Sequence, residues 1–358
     1  MVKEDFPMEH AGMASDIKLQ KKYFDEEKVF IVQIESTKAC PQLCKYCYRD
    51  SKPNSPHGLS SEKIREILDS AANMEVKMID WLGGDPLIRP DWKDLCKYAS
   101  DLGMINNIWT SGIPLEEIQI AREVVEATQG GFISTHLDSL DPDLYAIMHQ
   151  NHENKGGPHN IWKIMKGIKN CIDMGKDPNS MVNCITFTKP LAGRDVRGTI
   201  SYFQKKFQIK TCLTLFNPVI FNEMNSEWEP TPKQIKDAFV FRDIVNYPDD
   251  PSCGAMDVSK FYCGTVICVK SEGWLVPCSV IDTHEFGNVL EDSLEDLVER
   301  KKQRLLFLDF RDPNKLPGKC GTCLNNINCF GCRSSAYYYA GDILAVDPKC
   351  NQYKKIVK

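Results

Sequence analysis

No stretch of this 358-residue sequence comes near the roughly 18 consecutive apolar residues that a membrane-spanning helix needs. The first residues, MVKEDFPMEHAGMASD, lack the apolar core of a secretory signal. A large excess of charge of one sign is also lacking. The formal net charge is −5, which gives no support for a nucleic-acid or anionic-membrane partner. No long biased tract interrupts the chain. The expectation is a cytoplasmic globular protein of one large or two modest domains.

Cysteine, by contrast, is abundant, with 16 in the chain. In a cytosolic protein, clustered cysteines point to metal or redox chemistry rather than disulfides. Ten fall in three patterned groups, at 40/44/47, 263/278 and 320/323/329/332/350. Cys96, Cys171, Cys184 and Cys212 lie in helix- or strand-like stretches and read as buried small hydrophobes.

From residue 28 a β–α alternation sets in. KVFIVQIES reads as a strand, and SSEKIREILDSAANM as a helix with Ser60 as its N-cap. VKMIDWL pairs with DWKDLCKYASDLG, which Gly103 closes at a C-cap position. INNIWT, GGFISTHLD, NSMVNCITFT and KTCLTLFNP supply four more strands with helices between them. Six such units predict an α/β fold with a parallel sheet, a partial (β/α)6 TIM barrel. One more helix-like stretch covers about 232–246, and NYPDDPSCGAMD is a Pro/Asp/Gly-rich break. The predicted organisation is an N-terminal extension (1–27), a partial barrel (28–230), a connecting helix and linker (231–249) and a cysteine-rich domain (250–358).

KACPQLCKYCYRD places Cys40, Cys44 and Cys47 after the first strand, where parallel α/β proteins bind ligands. A structural zinc site or an ordinary iron–sulfur cubane takes four protein ligands. Three thiolates would hold three irons and leave the fourth open, able to chelate an amino acid through its amine and carboxylate. WLGGDPLIRP ends the second strand with Gly83 and Gly84, where backbone can approach a ligand. WTSGIP ends the third with the hydroxyls of Thr110 and Ser111, suited to a polar group such as a ribose.

This combination resembles the radical S-adenosylmethionine (SAM) enzymes: C-x3-C-x2-C with Tyr46 inside it, then GGDP in place of the family's GGEP, with Asp85 for the usual glutamate. The resemblance implies that the open iron binds the methionine end of SAM. Electron transfer to the sulfonium would then yield a 5′-deoxyadenosyl radical that takes hydrogen from substrate. It also implies that Gly83, Gly84 and Asp85 lie against the methionine amine and Tyr46 against adenine. FISTHLDSLDPDLY resembles the family's fourth-strand S-x-D segment, with His136 where serine is common. Asn183 and the region of Leu215 would approach ribose and adenine.

The later cysteines, Cys263-x9-Gly273-x4-Cys278 and Cys320-x2-Cys323-x5-Cys329-x2-Cys332-x17-Cys350, resemble the SPASM extension of these enzymes, which carries two auxiliary 4Fe–4S clusters. Two residues, rather than the usual three, separate Cys329 from Cys332. The tail is most like the pyrroloquinoline-quinone and haem-pathway branch. The resemblance assigns Cys263, Cys278 and Cys332 to the nearer cluster and Cys320, Cys323, Cys329 and Cys350 to the farther one. The nearer cluster then lacks a protein ligand, for which Cys253 is favoured over Asp257, Cys268 or a site open to substrate. Zinc is the competing metal, although the five-residue gap is far shorter than a zinc ribbon's.

Three functions follow. The first is a radical SAM oxidoreductase or maturase, served by a flavodoxin- or ferredoxin-like reductant, that abstracts hydrogen from a peptide or protein side chain. The second keeps the chemistry and acts on a tetrapyrrole side chain; the short stretch before the first strand leans this way, since many peptide-modifying members add a recognition domain there. The third, a non-catalytic electron carrier, gains nothing from an open iron. Ser279, which follows Cys278 where sulfatase-modifying members carry a catalytic aspartate, argues against that activity. His149, His152 and His159 read as a polar loop, and Tyr337–Tyr339 as packing.

Overall fold

The computed structural model describes residues 17–149, 156–218, 223–246, 259–323 and 325–350. The chain runs α1 (Ile17–Asp25), β1 (Ile31–Thr37), α2 (Ser61–Asn73), β2 (Met78–Gly83), α3 (Trp92–Asp101), β3 (Ile105–Trp109), α4 (Ile118–Ala127), β4 (Ile133–His136), α5 (Pro142–Met148) and α6 (Gly156–Asp173). It continues with β5 (Met181–Phe187), α7 (Arg194–Phe207), β6 (Lys210–Leu215), α8 (Pro232–Asn246), α9 (Lys260–Cys263), β7 (Val266–Val269), β8 (Leu275–Val276), α10 (Leu294–Leu305) and α11 (Arg333–Ala340). All six expected strands form, each followed by a helix.

Local signals act as their chemistry dictates. Ser60 accepts a hydrogen bond from the Lys63 amide and caps α2, and Ile64, Ile67, Leu68 and Ala71 form that helix's buried stripe. Gly103, at φ +85°, reverses the chain after α3. Helices α2, α3, α4 and α6 cover the sheet through a shared apolar core that includes Val32, Ile34, Ile79, Leu95, Ile108 and Ile164. Strands β1 and β5 are buried along their whole length, as parallel strands covered on both faces must be.

The sheet order is β6-β5-β4-β3-β2-β1-β7-β8. Every pairing is parallel except β7 with β8. The mixed α/β fold is a partial (β/α)6 barrel, and its sheet does not stop where the β–α rhythm stops. Strand β7 pairs with β1, Ile31 opposite Val266, so the cysteine-rich part of the chain supplies two strands to the same sheet. The β7–β8 hairpin was illegible in sequence because β7 is four residues long and no helix follows it.

One layer of the sheet is polar. Gln33, Asp80 and Asn107 sit level on β1, β2 and β3. Asp80 accepts hydrogen bonds from Gln33 at 3.1 Å, Asn107 at 2.8 Å and Tyr262 at 3.2 Å. Burial raises its carboxyl, and the hydrogen bonds from those donors oppose the rise.

Candidate cofactor and iron–sulfur sites

Cys40, Cys44 and Cys47 open on one cavity of about 210 Å³, which Tyr46, Gly83, Gly84, Thr110, Ser111 and His136 also line. Nine of the expected residues therefore meet at the C-terminal ends of β1–β4. Asp85, Asn183 and Leu215 do not line it.

The reason is visible for each. Asp85 is fully buried, and a buried carboxylate needs donors. It accepts from the Thr110 hydroxyl at 2.8 Å, the Ser111 hydroxyl at 2.5 Å, and the amides of Ser111 and Leu87. Asp85 thus holds the Thr110–Ser111 turn that faces the cavity, instead of facing it. Asn183 bridges β4 and β5, donating to the Leu137 carbonyl and accepting from the Leu137 amide. Its chain neighbour Cys184 lines the cavity in its place. Leu215 packs against the apolar cluster around Phe187 and Phe216.

The two glycines serve a close approach. Gly83 has φ +140°, and a Cβ there would lie 2.1 Å from the Thr37 carbonyl oxygen. A Cβ on Gly84 would lie 2.1 Å from the Ala39 carbonyl oxygen. The amides of Gly84 and Asp85 donate to those same oxygens at 2.7 Å. Gly-Gly therefore brings β2 against the start of the cysteine loop and fixes where that loop sits.

Beneath the loop lies a polar network that spacing did not reveal. Tyr46 donates to Asp138, and its hydroxyl is 2.7 Å from His136 Nε2. Asp138 also contacts His149 at 3.1 Å and accepts from the Thr186 amide. Burial alone would raise the Asp138 carboxyl, but the His136 charge and the histidine hydrogen bonds hold it well below the usual carboxylate range. Burial pushes His149 down. His149, expected in a polar loop, is 1% exposed and stacks on Tyr145 at 4.0 Å, while its backbone bridges to Cys44. His152 lies outside the described residues, and His159 is exposed.

A second cavity, of about 240 Å³, carries Cys263, Cys278, Cys329 and Cys332. Cys329, assigned by resemblance with Cys320, Cys323 and Cys350, opens here, while those three do not line this cavity. The Cys320 thiol is raised by burial, with Cys329 and Cys323 adding to the effect, so Cys329 stands between both groups. Cys268 is fully buried on β7 and faces neither cavity. Cys253 and Asp257 lie outside the described residues. The tyrosine run packs: Tyr338 donates to the Val280 carbonyl and accepts from the Asp282 amide, pinning the loop after Cys278 to α11.

An ion cluster, buried at Glu35, Lys270 and Arg49 and open to solvent at Glu272, joins the two regions. Glu35 on β1 pairs with Lys270 after β7 at 3.1 Å and with Arg49 of the cysteine loop at 3.0 Å. Arg49 also meets Glu272 at 2.6 Å, and Lys270 donates to the carbonyl of Ser279, beside Cys278. These residues carry no motif and became visible only through their contacts.

Thiols grouped in this way are the donor chemistry that iron–sulfur clusters take. Burial and then their acidic and thiol neighbours push Cys40 and Cys44 well above the ordinary thiol range, so a cationic centre is what would hold them as thiolates. Burial likewise raises Cys263, with Cys278 and Cys332 as the next causes.

Comparison with known proteins agrees. The radical SAM superfamily profile matches residues 34–200, and that of SPASM, an iron–sulfur cluster-binding domain, matches residues 261–324. The chain belongs to the radical SAM superfamily and is an enzyme of that superfamily with a SPASM domain. An AdoMet-dependent heme synthase of Methanosarcina barkeri is 23% identical over 362 residues, covering 89% of this chain and 95% of its own. A PqqA peptide cyclase of Xanthomonas campestris pv. campestris is 23% identical over 357 residues, covering 90% and 86%. In fold, the chain is similar to anSMEcpe with bound AdoMet and the Cp18Cys peptide (TM-score 0.66, 17% identity, 91% and 94% covered). It is also similar to Streptococcus suis SuiB bound to the precursor peptide SuiA (TM-score 0.61, 15% identity, 93% and 79% covered).

Proposed function

We propose that this enzyme cleaves S-adenosylmethionine reductively and abstracts hydrogen from a peptide or protein side chain. The observation that carries the reading is the convergence of Cys40, Cys44 and Cys47 with Gly83, Gly84, Thr110 and Ser111 on one cavity. A three-cysteine iron–sulfur cluster held there would supply the electron for SAM cleavage. Around it, Gly83–Gly84 and the Asp85-braced turn would position the methionine end, and Tyr46 and His136 the nucleoside. Cys263, Cys278 and Cys332, with Cys320, Cys323, Cys329 and Cys350, would hold two auxiliary clusters, and Cys253 remains the candidate for the ligand still needed. A flavodoxin- or ferredoxin-like protein would supply electrons.

The PqqA cyclase likeness across nine-tenths of the chain supports a peptide substrate. The heme synthase likeness, of the same identity, favours a second reading in which the substrate is a tetrapyrrole side chain. The test is anaerobic cluster reconstitution followed by dithionite and SAM. About 12 irons per chain are expected from three cubanes, with 5′-deoxyadenosine formed by the native protein and none by Cys44→Ala. A mass change on a tyrosine- or cysteine-containing peptide, set against one on a propionate-bearing tetrapyrrole, separates the substrates. Bound zinc with little iron would overturn the auxiliary sites.

A further inference from the structure

Four cysteines outside the patterned groups look alike in sequence, but the fold divides them. Cys96 and Cys171 lie in the apolar core at 2% and 0% exposure, and burial raises both thiols, that of Cys171 to about 12. Cys184 and Cys212 sit directly opposite each other on β5 and β6. Each is 6% exposed, and each faces a cavity. Cys184 lines the cavity of the three-cysteine loop, and Cys212 lines the cavity of the later cysteines, so this pair is a wall between the two. Trp109, on the same wall, lines both.

The surroundings of Cys184 are polar. Its sulfur is 3.2 Å from the Ser134 hydroxyl, and His136 is its register partner on β4. Among the described residues lining the first cavity, Cys184 is the one cysteine outside the C-x3-C-x2-C loop. With that loop's thiolates bound to iron, Cys184 is the S–H bond left facing the SAM cavity.

We propose that Cys184 is a hydrogen-atom donor to carbon radicals formed in the SAM cavity, and that Cys212 is the partner that captures the resulting sulfur radical. The proposal rests on the SAM-cleaving reading above. A carbon radical takes the hydrogen of Cys184: a C–H bond forms, the S–H bond breaks, and the radical moves to sulfur with no change of charge. That sulfur then bonds to Cys212, whose proton leaves to solvent, giving a disulfide radical anion. One electron from the reductant and two protons restore both thiols. The weak S–H bond makes the first step favourable, whereas the stronger aliphatic O–H bonds of Thr110 and Ser111 do not compete, and the Tyr46 hydroxyl has its hydrogen turned to Asp138. The register pairing of Cys184 with Cys212 places the trap next to the donor before any radical forms.

The experiment needs no substrate. Reconstituted holoenzyme in D₂O, with its thiols exchanged to S–D, is reduced by dithionite and given SAM alone. The deuterium content of 5′-deoxyadenosine is read by mass spectrometry. The native protein is expected to yield singly deuterated 5′-deoxyadenosine. Cys184→Ser is expected to lose the label to background, while Cys212→Ser keeps it. The readout is an isotope ratio, so it does not depend on how much SAM each variant cleaves. Cys184→Ala replaces the serine variant if that one fails to hold iron. Unlabelled product from the native protein, a label that survives loss of Cys184, or a label that follows Cys212 instead, would each overturn the assignment. No 5′-deoxyadenosine at all would overturn the SAM-cleaving reading and this one with it.

Discussion

Glu35 and Lys270, 235 positions apart in sequence, form an ion pair of 3.1 Å in which each side chain is 1% exposed. The pair ties the strand that precedes the three-cysteine loop to the hairpin that precedes Cys278. Removing one member of a buried pair leaves the other charge uncompensated, at a cost of about 3–5 kcal/mol. Glu35→Gln is expected to lose stability on that scale in denaturant unfolding, and Lys270→Met less, because Glu35 keeps its pairing with Arg49. The double variant is expected to lose less than the sum. A sum that is strictly additive would show that the two do not interact.

Gly84→Ala is expected to be worse than an ordinary glycine-to-alanine change. The added methyl would lie 2.1 Å from the Ala39 carbonyl oxygen, a backbone atom that cannot rotate away. Overpacking of this kind costs about 1–3 kcal/mol, and here relief comes only by moving the cysteine loop. Reconstitution should therefore yield less iron than the native protein, with thermal unfolding at lower temperature. Gly175→Ala, where a Cβ meets nothing within 4 Å, tests backbone strain alone.

Asp195 supplies a pH dependence. Burial raises its carboxyl to about 6, with the Ser139 hydrogen bond at 2.8 Å opposing and Asp141 adding to the rise. The unfolded chain has the ordinary aspartate value of about 3.9. The folded protein thus binds this proton more tightly, so the contribution is full below about pH 4 and is lost as pH rises through 6. Asp195→Asn is expected to be more stable than the native protein at pH 7.5, with the advantage vanishing toward pH 4. Equal stability curves over that window would refute the assignment.

Tyr338→Phe removes a hydroxyl that donates to the Val280 carbonyl at 3.1 Å and accepts from the Asp282 amide at 3.0 Å. Each such bond contributes about 1 kcal/mol net. The expected loss is on that scale, with faster amide exchange over residues 279–283, measured by mass spectrometry. Exchange unchanged there would mean the loop after Cys278 is held by other contacts.

Much was readable before the fold was known, and for a physical reason. The β–α units declare themselves through local periodicity, and Ser60 and Gly103 through cap chemistry that acts within a few residues. The cysteine groups are readable because a cluster needs several thiols, and loop geometry fixes their spacing. Asp85 shows where such reading stops. The GGDP motif marked it as a cavity residue, yet its carboxylate needed buried donors and found them in Thr110 and Ser111, on the next strand. Asn183 and Cys184 show the same limit from the other side, since adjacent residues on a strand face opposite ways and the choice of face depends on the sheet.

By itself, then, the sequence determined the strand and helix pattern, the three thiols of the first loop, the glycines beside it and the count of later cysteines, because each follows from contacts along the chain. The tertiary structure alone decided that β7 and β8 join the sheet at β1, that Lys270 reaches Glu35, that Cys329 opens on the cavity of Cys263 and Cys278, and that Cys184 and Cys212 share a wall. Those relationships depend on which strands become neighbours, and burial and hydrogen bonding between distant segments are what settle that.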